Sequence, residues 1–391
     1  MWKTLSITWE TCLQASDHVA EPSAQHEKLL QQLEPELDHV VFVQLTSLIF
    51  GLDMTKREAL IDPIRTLQRW RYRESHDPRD KVYGLMGLFQ SSDLPSITCD
   101  YTASAATVFT DLTLDLLRLR NNLLPLVGWR GEIHVTPGLP TWALDMVRPS
   151  NETETGWCGF QDHVPRFQTF KADDKMPMTL QVSSDKSILT LSGLPIDTII
   201  VIDPGMTLGN DIREFVLPEH AIPIVKRREQ LLSTFMSTEK PTEEYIGGGT
   251  WRDAFWRTML GDIIRGRGPA FDTKKTLMPS DRRNFDAFME HGTWDDAVCL
   301  SLMPMLKNQS FFITQKGYMG IGPRNLQVGD EAWILLGGPL PFILRPIIED
   351  KKDAELAVGD YTFVGDAHVQ GVMFGDFVRA GQENIRSVSL R

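Results

Sequence analysis

The sequence predicts an α+β protein, with a helical N-terminal part and a β-rich C-terminal part of small-barrel or sandwich type. Three observations carry this. Apolar residues recur at helical spacing through most of residues 1–148. A polar stretch, 149–186, is rich in Pro, Gly, Asp and Thr and reads as a connection. From residue 187 onward, β-branched and aromatic runs are short and punctuated by glycine. The expected domains are therefore 1–148, helical, and 187–391, β-rich with inserted helices, joined by 149–186.

Bulk properties limit the function. The 391 residues carry a net charge of −12, which argues against a nucleic-acid surface and against an anionic membrane. No apolar run is long enough for a membrane span. The start lacks the basic and apolar blocks of a signal peptide. Cys12, Cys99, Cys158 and Cys299 are far apart, with no CxxC and no Cys/His pair at metal spacing. Reduced thiols, a cytoplasmic location, no metal and no cofactor are the expectation. No HExxH, Rossmann fingerprint or Ser-His-Asp order is present.

Along the chain, helices are expected over Ala24–Leu33, Leu37–Phe50 and Ile61–Tyr72. In the last of these, Ile64, Leu67 and Trp70 form an apolar side, and Arg65, Arg69, Arg71 and Arg73 a solvated or ion-paired one. Asp77-Pro78-Arg79-Asp80-Lys81 is a charged turn into a helix start, because Pro78 pushes Asp77 out of the helical region. Val82, Leu85, Met86 and Leu88 then fall near one face. The helix Ser104–Arg120 has the clearest apolar stripe. Ser187–Asp203 reads as strand, and Val225–Phe235 and Phe285–Glu290 as helical pieces. Gly247-Gly248-Gly249 is a turn and not a phosphate loop, because no Lys-Ser/Thr follows it. Thr250 caps a helix that begins at Trp251. Six short runs end the chain: Phe311–Thr314, Tyr318–Ile321, Ala332–Leu336, Phe342–Ile347, Tyr361–Val364 and His368–Val372.

Asp77-Pro78-Arg79-Asp80-Lys81-Val82-Tyr83-Gly84-Leu85-Met86-Gly87-Leu88 resembles the DPRDKVYALLGL signature of fungal heterokaryon-incompatibility (HET) domain proteins, with Gly84 and Met86 as departures. Leu139–Asp145 resembles the LPSWVPDW segment of the same family, and Phe255-Trp256-Arg257-Thr258 its FWRT-type helix. The order from Phe311 through Asp376 resembles the family's C-terminal region. Nothing before Asp77 resembles the YxALSYxWG strand of the TIR-like head, where the family's signalling activity would be placed. The resemblance therefore implies the C-terminal portion of the family's scaffold without its signalling function. The family's VHGIMDGE stands here as Val369–Asp376, with Gln370 for His and Phe374 for an acid, which makes that segment more apolar.

Two functional readings follow. The first is a cofactor-independent fungal natural-product enzyme that holds apolar small molecules in a water-excluding pocket between the helical and β-rich parts. The suspected resemblance is to the hetero-Diels–Alderases of tropolone–sesquiterpene pathways. It implies dehydration to a quinone methide, then intermolecular cycloaddition with a terpene. Cycloaddition needs two partners held in reactive geometry, and the dehydration needs an acid and a base. The second reading is a non-catalytic ligand- or protein-binding module, and a homo-oligomer is compatible with both.

The candidate catalytic residues are His291, Arg257 and His368. Histidine is the usual side chain for acid–base chemistry near neutral pH. Candidate substrate-binding residues are Trp251, Arg252, Trp256, Trp294, Tyr318, Arg345, Tyr361 and Phe374. Arg252 and Trp256 are four apart on one helix, so the guanidinium is expected over the indole. Tyr318, Arg345, Asp366 and His368 are expected to converge at a barrel mouth, with Asp366 or Asp376 as the partner of Arg345.

Overall fold

A computed structural model describes residues 63–71, 75–89, 94–128, 136–147, 169–205, 218–239, 241–265, 274–307, 309–347 and 360–391. The helices expected over Ala24–Leu33 and Leu37–Phe50, and most of the polar connection, lie outside these residues. The chain forms two compact units, Met1–Pro95 and Ser96–Arg391.

The described part of the first unit holds α1 (Pro63–Trp70) and the four-residue α2 (Asp80–Tyr83). Asp77 seats the α2 entry. Its Oδ1 accepts the Arg79 backbone N–H and Nε, each at 2.9 Å, and its Oδ2 accepts Arg79 Nη2 at 2.7 Å. That hydrogen bonding holds the Asp77 carboxyl down at about 2. Lys81 Nζ donates to the Arg71 carbonyl at 2.8 Å. Arg71 is buried, so of the two alternatives for the arginine side it is not the solvated one. One expectation changes. Leu88 is 39% exposed, because the chain tightens into a 3₁₀ turn at Met86–Leu88 and rotates it off the Val82 face.

The second unit begins with α3 (Ala105–Arg120), capped by Ser104, whose side chain accepts from Thr107 N. Strands β1 (Gln181–Val182) and β2 (Leu189–Asp203) follow, then α4 (Pro218–Glu239) and α5 (Trp251–Leu260). A two-stranded ribbon, β3 (Ile263–Arg265) with β4 (Lys274–Thr276), leads to α6 (Pro279–His291) and α7 (Asp296–Leu306). The rest is β5 (Gln309–Thr314), β6 (Met319–Pro323), β7 (Glu331–Leu335), β8 (Phe342–Pro346), β9 (Asp360–Asp366), β10 (His368–Val369), α8 (Asp376–Ala380) and β11 (Arg386–Leu390). Helices α4 and α6 are longer than the sequence pattern marked, and α7 and β11 were not marked by it.

The 15-residue β2 organises the sheet. Its first third pairs β11, its middle pairs β7 and its end pairs β5. The pairings β2–β11, β11–β9, β9–β8, β8–β7 and β7–β2 close a ring, so these five strands form a small barrel. Strands β5, β6 and β10 extend from it. Among the described strands all pairings are antiparallel except β9–β11. Register shifts at Ile196 and Ile200 let β2 bend as it passes from one partner to the next.

Alternation on β5 separates two cores. Phe311 and Ile313 face the helical cluster with Trp251, Phe255, Met259, Phe288 and Leu302. Phe312 faces the barrel cluster with Leu194, Ile196, Ala332, Ile334 and Ile343. Gly320 is required where it stands, because a Cβ there would lie 2.2 Å from the Phe312 ring. The described end of the polar connection joins the barrel core through Ala172 and Met176.

Candidate functional site

The residues singled out by sequence fall into three groups. The first lies on α5 and α6. Thr250 caps α5 by accepting from Asp253 N at 3.1 Å. Trp251 is buried, donates Nε1 to the Thr242 carbonyl at 2.9 Å and meets Tyr245 edge-on at 5.1 Å. Trp256 is also buried. The cations over its ring are Arg257 at 5.6 Å and Arg282 at 5.7 Å, not Arg252. Arg252 points to solvent and stands 4.0 Å from Asp286. Its place is taken by Arg282, which bridges Asp253 at 2.6 Å and Asp286 at 3.1 Å. Arg257 pairs with Asp262 at 2.7 Å, and burial still raises the Asp262 carboxyl above its ordinary value. His291 ends α6 with its side chain 71% exposed, 3.8 Å from Glu290. Trp294 is exposed and bonded through Nε1 to Asp296.

The second group lies at one end of the β8–β9 pair. Arg345 binds Asp330 through Nε at 2.7 Å and Nη2 at 3.0 Å, and gives a third bond to the Asn325 carbonyl at 2.8 Å. Its partner is therefore Asp330 and neither Asp366 nor Asp376, because the β8–β9 register puts Asp366 beside Phe342 at the opposite end. Asp366 instead accepts from Gly128 N at 2.8 Å. Tyr361 donates to Glu331 Oε2 at 3.0 Å, and Trp333 Nε1 donates to the same oxygen at 2.9 Å. Burial and the Glu331 charge push the Tyr361 hydroxyl up to about 12. Arg386 covers the Trp333 ring at 4.8 Å. Asp330, Glu331, Trp333 and Arg386 were not marked as site residues by sequence reasoning, although Trp333 falls in the Ala332–Leu336 run.

The third group surrounds β10. His368 is buried, bonds Gln370 Oε1 through Nε2 at 3.2 Å and lies 5.6 Å from the Phe170 ring. Phe374 meets Phe170 edge-on at 5.5 Å and is 50% exposed. Tyr318 is buried against Phe377 at 6.3 Å, and burial raises its hydroxyl, with Asp197 adding to the effect. The register separates Arg345 from Asp366 by about the length of β8, roughly 13 Å, so Arg345 does not meet Asp366 and His368 at one mouth. His291, Arg257 and His368 each have separate partners.

Among the described residues no three His, Cys, Asp or Glu side chains gather as a metal site. No described helix is long and apolar enough to cross a membrane. What the arrangement offers is an exposed aromatic ring on a buried aromatic floor. Phe374 stands over Phe170, with one imidazole behind.

Comparison with known proteins agrees with this architecture. Residues 285–385 match the Het-6 beta-barrel domain. That match takes in α7 and β5 to β10 and stops just before β11. The chain is 26% identical over 349 residues to heterokaryon incompatibility protein 6, OR allele, of Neurospora crassa. The alignment covers 76% of this chain and 48% of that protein, so the chain spans about half the length of its curated relative. No solved structure matches the chain. The matched region holds β7, β8 and β9 of the five-strand ring, and the similarity continues along most of the chain: what is shown is likeness to a fungal heterokaryon incompatibility protein, with a match to the Het-6 beta-barrel domain over residues 285–385.

Proposed function

We propose that this chain is a binding module for an apolar ligand, with Phe374 as its contact residue. The observation that carries the reading is the setting of Phe374. Phe374 is half exposed, and its ring rests edge-on against the buried Phe170. An aromatic anchored in this way offers contact area at low entropic cost. Several of the polar side chains singled out by sequence are engaged in pairs, Arg257 with Asp262, Arg345 with Asp330 and Tyr361 with Glu331.

The test is calorimetric titration with a sesquiterpene hydrocarbon and with a tropolone. Phe374→Ala is expected to weaken binding about tenfold, roughly 1.4 kcal/mol, with little change in melting temperature. Equal affinity in the two proteins would overturn the reading.

His368 favours a second reading, the natural-product cyclase. Its imidazole lies against Phe170, the ring that supports Phe374. In that reading a hydroxymethyl-bearing precursor loses water to give a quinone methide. The C=C–C=O unit of that intermediate then adds across a terpene double bond. Product above the uncatalysed background, abolished in His368→Ala but retained in His291→Ala, would select this reading. A cytoplasmic location accompanies either reading as part of the proposal.

A further inference from the structure

The triple glycine at residues 247–249 is not a phosphate cradle, and the fold gives it a different role. Gly248 and Gly249 have φ of +91° and +79°, which suits glycine. With the bonds Tyr245 N to Gly249 O at 2.9 Å and Gly248 N to Tyr245 O at 2.8 Å, they close a tight turn. Gly247 serves a different purpose, because its Cα lies against Gly371. A Cβ on Gly247 would stand 2.7 Å from the Gly371 Cα, and one on Gly371 would stand 2.5 Å from the Gly247 Cα. Beneath this contact Tyr245 is buried. Its hydroxyl donates to the Gln370 carbonyl at 2.9 Å and accepts from Met319 N at 3.0 Å. Gln370 N in turn donates to the Met319 carbonyl at 2.9 Å. Trp251 closes the far side, edge-on to Tyr245.

Gln370 follows His368 by two residues and precedes Phe374 by four. A phenylalanine at 245 would fill the same space. The hydroxyl is used to satisfy one backbone group from β6 and one from the turn after β10, two segments far apart in the chain. We propose that Tyr245 is a positioning residue for Phe374: together with the Gly247–Gly371 contact, it fixes the Gln370–Phe374 turn so that the Phe374 ring stands out over Phe170. The proposal deepens the binding reading and rests on Phe374 as the ligand contact.

The experiment places 4-fluorophenylalanine at position 374 of the full chain and records its ¹⁹F resonance without ligand. Tyr245→Phe removes only the hydroxyl. Gly247→Ala adds only a methyl, at a residue whose own φ is unstrained, and pushes on Gly371. Both are expected to shift or exchange-broaden the resonance. Leu116→Ala, a buried change in α3, is expected to lower the melting temperature and leave the resonance in place. Gly247→Ala carries the test alone if Tyr245→Phe does not fold. Any other pattern among the folded variants overturns the proposal, including an unmoved resonance or movement in all three. Because the readout needs no ligand, failure of the binding reading is distinguishable from failure of this one.

Discussion

Arg228 shows most clearly what single residues contribute. It is fully buried on α4 and pairs with Asp203 at 3.2 Å. It also donates to the Met305 carbonyl at 3.1 Å and the Gln309 carbonyl at 3.0 Å. One guanidinium thus ties α4 to the end of β2 and to the α7–β5 connection. Burial brings its pKa down to about 10, and Asp203 opposes the fall. Arg228→Ala is expected to cost about 3 kcal/mol by urea denaturation, because it leaves buried acceptors without a donor. Its neighbour Arg227 binds the same carboxylate from an exposed position, so Arg227→Ala should cost under about 1 kcal/mol. Asp262 gives a pH prediction. Burial raises its carboxyl above 3.8, so the folded chain holds the proton more tightly than the unfolded chain. That contribution is fully present below the unfolded value and is lost as pH rises through the folded value. The difference in urea midpoint between wild type and Asp262→Asn should therefore move in favour of wild type as pH falls from about 7 to about 4.

Among the elements, α3 was the most legible from its apolar stripe, and the start of α5 was legible from its Thr250 cap; the end of α5 at Gly261, with φ of +66°, was not read from the letters. Thr250→Ala is expected to cost about 1 kcal/mol, measured by the same denaturation. Helix α7 was not legible. Its residues are apolar on nearly every side and include Pro304, so no stripe marks a face. It is buried against α5, β3 and β5, and only tertiary packing justifies its composition. Strand β11 was illegible for a different reason. Five residues, of which only Val388 and Leu390 are buried, make too short an alternation to separate from loop.

At the scale of the whole molecule, the barrel depends on β11. It fills the gap between β2 and β9, antiparallel to one and parallel to the other, and without it the ring is open. Val388 is buried within that closure, whereas Ser387 is exposed. Val388→Asp should therefore abolish or strongly lower the cooperative thermal transition seen by near-ultraviolet circular dichroism, and Ser387→Asp should leave it nearly unchanged. The α+β class, the order of most elements, the Thr250 cap and the glycine-bounded strands were determined by the sequence alone, because hydrophobic period and turn chemistry act over a few residues. The closure of the ring, the pairing of Arg345 with Asp330 and the separation of His368 from Arg345 were decided only in three dimensions. They depend on strand register between distant segments, and a register leaves no local mark in the chain. Phe374 belongs to both. Its apolar character was visible as a departure from a family pattern, but its exposure over Phe170 is set by a turn that Tyr245 and Gly247 hold from another part of the fold.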